Sequence, residues 1–265
     1  MQLNEQQIRQ FDDDGYLFVE NLFDAEEVEL LEKITETSET IAKGTIDHQD
    51  SQGTASRIWL THDLDDDDIF SMASCCERVV RPTAQLLRGP VYHFHHKMML
   101  KEPNVGGAWE WHQDYGYWYE EDGGLLFPEA ASCMVAVNRA TRANGCLQVL
   151  RGSNRLGRLD HGTVGAQVGA DPERIVIAKK HLETVYCEMA PGTGLFFHCN
   201  TLHRSDQNHS PDRRWAFISC YATQRNISFA EEQSRLQREA FSIRPDEEVK
   251  RAGRAQLAAM QSALP

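Results

Sequence analysis

The sequence predicts a mainly β domain with flanking helices, and three observations carry that prediction. Two helix-start signatures stand within the first 30 residues, and period-two alternation sets in at Val91. Short apolar runs separated by Gly, Pro and Asn turns then continue to Tyr221. At 265 residues one large domain with a sizeable core is expected. The apolar share of 41% and charged share of 25% are those of a globular protein, and no apolar run reaches the length of a membrane span. The opening MQLNEQQIRQFDDD has no basic-then-apolar start, so no signal peptide and a cytoplasmic location are expected. Seven cysteines, an odd number without a C-x-x-C pair, indicate reduced thiols rather than disulfides or a zinc knuckle. A formal charge of −13 argues against nucleic acid and anionic membranes as partners. A small-molecule substrate is expected instead, bound by a monomer or a homodimer.

In chain order, Asn4 with Gln7 reads as a capping box for a helix carrying Ile8 and Phe11 and ended by Gly15, followed by a strand at Tyr16 to Val19. Asp24 with Glu27 repeats the box before a stripe of Val28, Leu31 and Ile34. The polar segment from Thr45 to Ser56 reads as a loop, and Asp65 to Asp68 as a solvated helix start. Pro82 is expected to divide the next helical stretch, and Gly89-Pro90 to stop it. From Val91, Tyr92, Phe94, Met98 and Leu100 alternate with His93, His95, Lys97 and Met99, with His96 breaking the apolar side. The second face would look into a barrel or into water, and its histidines read as pocket lining rather than a zinc site. Ser132 to Val137 and Cys146 to Leu150 read as strands around an Asn144-Gly145 turn, in a hairpin-rich region. Arg139, Arg142, Arg151, Arg155 and Arg158 read as an exposed basic edge. The stretch from Asp160 to Ile175 reads as a long connection or lid, and the tail from Ala230 as two polar helices, the second beginning near Pro245.

The chemistry concentrates at Trp111-His112-Gln113-Asp114. In an extended strand, residues two apart share a face, so His112 and Asp114 could close on one metal ion. The spacing alone is weak. Composition predicts about 1.7 His-x-Asp/Glu matches by chance and the chain has three, the others being His48 with Asp50 and His181 with Glu183. The first pair lies in the expected loop and the second at a charged strand edge. Tyr115, Gly116, Tyr117, Trp118 and Tyr119 follow the site, half of the rings expected in the core and half walling a pocket. Two His and one carboxylate form a facial triad that leaves three coordination positions open. His203, His198 and His209 compete for the third position. Arg214 adds a different constraint, because it shares a strand face with Ala216, Ile218 and Cys220. A guanidinium on an inward face needs an anion, which a dicarboxylate would supply, with Ser205 as an added hydroxyl donor.

These residues resemble the phytanoyl-CoA dioxygenase (PhyH-like) family of iron(II)- and 2-oxoglutarate-dependent oxygenases. The likeness covers His112-x-Asp114, His203, Ser205 and Arg214. It also covers Gly15-Tyr16, Asn144-Gly145-Cys146-Leu147, Gly152-Ser153 and Leu202-His203 to Asn208, all in order across residues 3 to 225. The resemblance implies a double-stranded β-helix (jelly roll, cupin-like), with a helical N-terminal part at 1–90, a core at 91–225 and a helical tail at 230–265. It implies iron held by His112, Asp114 and His203, and 2-oxoglutarate held by Arg214 and Ser205, with Lys97 and His95 facing cosubstrate or substrate. O2 is the other cosubstrate, and hydroxylation with release of succinate and CO2 is the implied reaction. Related halogenases carry a small residue where Asp114 stands, so hydroxylation is favoured. Tyr115, Tyr117 and Trp118, which directly follow the site, are expected with Met134 to contact substrate, although many relatives carry Trp where Met134 stands and His where Asn154 does. Two other readings stand beside this one: a metal-dependent cupin-like enzyme without 2-oxoglutarate, which leaves Ser205 and Arg214 unexplained, and a non-catalytic jelly-roll binding module.

Overall fold

The computed structural model describes residues 1–120, 124–226 and 241–262. Both expected capping boxes form. Asn4 and Gln7 bond reciprocally at the start of α1 (Glu5–Asp14), which Gly15 ends at φ 85°, and Asp24 and Glu27 do the same for α2 (Ala25–Thr37). Between them runs β1 (Tyr16–Val19), and after them α3 (Glu39–Gly44). The segment read as a loop at 45–56 is instead a hairpin of β2 (Ile46–Gln49) and β3 (Ala55–Thr61). Asp50 closes its turn by accepting the backbone N–H groups of Gln52 and Thr54, while β3 pairs with the long strand β4 (Val91–Lys101). All of β2 is exposed, which is why its composition mimics a loop. Helices α4 (Ile69–Cys75) and α5 (Glu77–Leu86) break at Cys76, not at Pro82. Pro82 sits within α5, where its missing N–H removes one helical bond without ending the helix.

The remaining elements are β5 (Trp109–His112), α6 (Asp114–Glu120), β6 (Ala130–Ala136), β7 (Leu147–Leu150), β8 (His161–Val164), β9 (Gln167–Ala170), α7 (Pro172–His181), β10 (Thr184–Cys187), β11 (Gly194–His198), β12 (His203–Ser205), β13 (Arg214–Thr223) and α8 (Glu247–Ser262). The strands form an antiparallel seven-stranded sheet ordered β1-β11-β6-β13-β4-β3-β2 and a four-stranded sheet ordered β10-β7-β12-β5, with β8 and β9 as a separate hairpin. This is a jelly-roll core with flanking helices. The segment 1–90 contributes three strands to the large sheet besides its helices. The tail helix expected near Pro245 is α8, and the one expected from Ala230 lies largely outside the described residues.

Period-two alternation divides the core into two layers. Along β13, Ala216, Ile218, Cys220 and Ala222 face the small sheet, whereas Trp215, Phe217 and Tyr221 pack under the helices with Leu31, Ile34 and Phe70. Strand β11 does the same, with Leu195 and Phe197 inside and Phe196 beneath the helices. The expected alternation in β4 fails at its start, because the register with β13 shifts between Cys220 and Tyr221. One extra residue in β4 turns Tyr92 and Phe94 onto the inner face with His95, Lys97 and Met99. It turns His93 to the helix side, where His96 already lies with Met98 and Leu100. The three histidines therefore face opposite ways and form no zinc site.

The strands around Asn144-Gly145 do not form a hairpin, since β6 lies in the large sheet and β7 in the small one. The turn carries the chain between sheets. Gly145 sits at φ 74°, and a Cβ there would lie 2.3 Å from the Asp206 carbonyl oxygen. The stretch read as a connection at 160–175 holds the β8–β9 hairpin and the start of α7, tied to β5 through Gln167.

Candidate active site

The sequence stretch Trp111 to Asp114 is a corner, not a continuous strand. His112 ends β5 and Asp114 begins α6. Gln113 between them is fully buried; its side chain donates to the carbonyls of Gly157 and Asn200 and accepts from Leu159 N, which fixes the bend. Strand β12 runs antiparallel beside β5 and pairs His203 with His112 across the ladder. One ligand atom from each of His112, Asp114 and His203 lies within 4.8 Å of the others, and all three residues are buried. Among the described residues this is the only such cluster.

Both histidines are oriented from behind. His112 Nδ1 lies 2.7 Å from Glu110 O and His203 Nδ1 2.9 Å from Thr201 O, each donating to the carbonyl two residues earlier and leaving Nε2 for the centre. Asp114 Oδ2 accepts from Ser132 Oγ at 3.0 Å, while Oδ1 lies 3.7 Å from His203 Nε2. Burial holds both imidazoles below their ordinary range, with His203 further lowering His112, so both are neutral at pH 7 and offer lone pairs. Two neutral imidazoles and a carboxylate, converging from the corner and from β12, suit a divalent transition ion.

The triad opens into a cavity of about 390 Å³. Arg214, at the start of β13, lines its wall and is 3% exposed. Its Nη2 donates to Gly145 O at 2.7 Å, and its Nε has no acceptor among the described residues. Burial lowers it to about 10, so it remains a cation at neutral pH. An inward cation with an unused donor is a receptor for an anion. Ser205 lines the same cavity. The structure thus contains donor sets that fit both an iron ion and a dicarboxylate.

The other sequence candidates divide. Lys97, His95, Tyr117, Trp118 and Met134 all line the cavity. His95 is 1% exposed, and neither ring nitrogen finds a partner among the described residues. Trp118 packs edge-on against His95 and Phe94, and Tyr117 meets His112 edge-on while its hydroxyl donates to Val168 O. Tyr115 is a correction: its helical position turns it out of the cavity, where its hydroxyl donates to Leu126 O at 2.8 Å. His198 accepts from Asn200 N, His209 is exposed, and neither joins the triad. His48 lines the cavity beside Trp109, but Asp50 is held in its turn. Glu183 pairs with Arg151 at 2.8 Å. Arg142, Arg151 and Arg158 likewise meet acidic partners at the surface.

Sequence reading missed Lys101, Ser132, and the wall built by the β2–β3 and β8–β9 hairpins through Ile58, Leu60, Gln167 and Val168. The parity that places Lys97 and Met99 inward continues to Lys101 and was the available signal.

A jelly roll with two histidines and one carboxylate at its mouth, beside a buried arginine, defines a class of metal-dependent oxygenase. A sequence model of the family "Phytanoyl-CoA dioxygenase (PhyH)" matches residues 11–216, and the chain belongs to that family. It is similar to L-proline trans-4-hydroxylase of Streptomyces griseoviridis, 33% identical over 168 residues, covering 55% of this chain and 62% of that protein. The chain thus spans less than two thirds of that relative. The ectoine dioxygenase of Stutzerimonas stutzeri is 27% identical over 229 residues, covering 78% of this chain and 72% of the relative. The crystal structure of EctD from S. alaskensis with 2-oxoglutarate and 5-hydroxyectoine superposes with a TM-score of 0.74 at 25% identity, over 92% of this chain and 87% of that one. By family, the chain is an iron(II)- and 2-oxoglutarate-dependent dioxygenase.

Proposed function

We propose that the chain hydroxylates a compact polar small molecule, using O2 and 2-oxoglutarate and releasing succinate and CO2. The carrying observation is the convergence of His112, Asp114 and His203 with Arg214 and Ser205 on one cavity. His112, Asp114 and His203 would hold iron(II). Arg214 would receive the distal carboxylate of 2-oxoglutarate, with Ser205 donating to the same group. Iron, once bound, supplies the redox chemistry that couples decarboxylation of 2-oxoglutarate to oxidation of the substrate.

The chain's own residues do the rest. Glu110 O and Thr201 O fix the two imidazoles, and Ser132 fixes the Asp114 carboxylate. Trp118, Tyr117, Met134 and Ile218 give the cavity apolar walls that exclude water, while His95 and Lys97 offer polar groups on its inner strand. A cavity of about 390 Å³ that must also admit 2-oxoglutarate favours a small substrate, in keeping with relatives named for proline and ectoine. The chain acts as one catalytic domain, as a monomer or homodimer, in the reducing cytoplasm, where its seven buried thiols stay free. No helix among the described residues is long and apolar enough to cross a membrane.

The test is a panel including L-proline, other amino acids, ectoine and acyl-CoA thioesters, read as substrate-stimulated succinate with a product heavier by one oxygen. Stimulation by an amino-acid-derived compound is expected. Stimulation by acyl-CoA alone overturns the substrate class.

A further inference from the structure

Lys101 is a second charge buried beside Arg214. It ends β4, is 3% exposed, and stands opposite Arg214 in the ladder between β4 and β13. Its Nζ donates to Gly107 O at 2.7 Å, to Ser205 Oγ at 3.0 Å, and to Asp206 O. An ammonium has three N–H groups, so these three oxygens use it fully and leave nothing for a ligand. Lys101 does not line the cavity, whereas Ser205 and Arg214 do. Burial, reinforced by the neighbouring Arg214, pushes Lys101 well below its ordinary range. The three acceptors nevertheless match the charged form, since a neutral amine has only two protons to give.

The consequence falls on Ser205. A hydroxyl carries one proton and two acceptor lone pairs. With Lys101 donating to the oxygen, the Ser205 proton must turn elsewhere, and among the described residues it meets no acceptor. We propose that Lys101 is a positioning residue for 2-oxoglutarate, holding Ser205 as a donor whose proton points at the carboxylate received by Arg214. The same three bonds tie β4, the Gly107 turn and the end of β12 around that carboxylate's seat. The inference rests on the reading of the Arg214 pocket as the cosubstrate site.

The test compares Lys101→Met, Ser205→Ala and the double variant. The readouts are the Kd of 2-oxoglutarate, measured by calorimetry on metal-free protein, and KM against kcat in turnover. Lys101→Met is expected to raise Kd and KM about tenfold, the scale of one hydrogen bond to a charged group, with most of the loss in KM. In the Ser205→Ala background the same change should add less than about twofold, because the hydroxyl it orients is gone. An equal factor in both backgrounds, or an unchanged Kd in the single variant, overturns the proposal. Should Lys101→Met fail to fold, Lys101→Arg keeps the buried charge but not three diverging donors, and an unchanged Kd there overturns it equally. Arg214→Ala separates the two levels. If it leaves Kd unchanged, the pocket reading has failed; if it weakens binding while Lys101→Met does not, only the positioning role has.

Discussion

Replacing Arg214 by alanine is expected to weaken 2-oxoglutarate about a hundredfold or more while iron still binds at full stoichiometry. The size follows from burial. Truncating one partner of a buried charge pair costs roughly 2–5 kcal/mol, and each 1.4 kcal/mol is about tenfold in affinity. Arg214 is 3% exposed, and the other guanidinium of the described cavity wall, Arg204, is already paired with Asp206. The sparing of iron follows from connectivity, since Arg214 enters from β13 of the large sheet whereas the two histidines enter from β5 and β12 of the small one. Parallel titrations with iron(II) and 2-oxoglutarate check both halves. Loss of iron together with 2-oxoglutarate would mean that Arg214 supports the metal corner instead.

His203→Ala is expected to have the larger effect on turnover, about a thousandfold or more, with iron retained at a small fraction of one equivalent after desalting. His203 is one of the three described residues whose ligand atoms converge, and it is also the ladder partner that holds β12 against His112. Metal analysis and succinate release on the same preparation give the two numbers. Circular dichroism unchanged from the parent chain shows that the loss is local. A variant that keeps its iron would remove His203 from the ligand set.

Much of the fold was legible because its signals are local. The two capping boxes need only residues three apart, and the inner face of β13 needs only alternation. What stayed hidden depends on partners distant in sequence. The β2–β3 hairpin is polar because it lies at a sheet edge, and only pairing with β4 makes it a strand. The turn at Asn144-Gly145 has hairpin chemistry, yet it crosses between sheets, which no dipeptide reveals. The inner faces of β4 were misread at Tyr92 and Phe94 because a bulge inserts one residue against β13.

The site divides in the same way. His112 and Asp114 were visible as a spacing, but the geometry that joins them is a strand-to-helix corner pinned by Gln113. That corner also places the aromatics after it on α6, so helical rather than alternating positions decide which of them see the cavity. Tyr117 and Trp118 do, and Tyr115 does not. Arg214 was legible as an inward charge among small apolar neighbours. Lys101 carried the same signal and was missed, because a lysine at a strand end reads as solvated until its three oxygens are in place.

The most direct measurement of the central claim is an anaerobic titration of metal-free protein with iron(II) and 2-oxoglutarate, followed by admission of air. The account predicts a weak visible charge-transfer band that needs both components, and then succinate. No band, and no succinate under air with any compound of the panel, would contradict it.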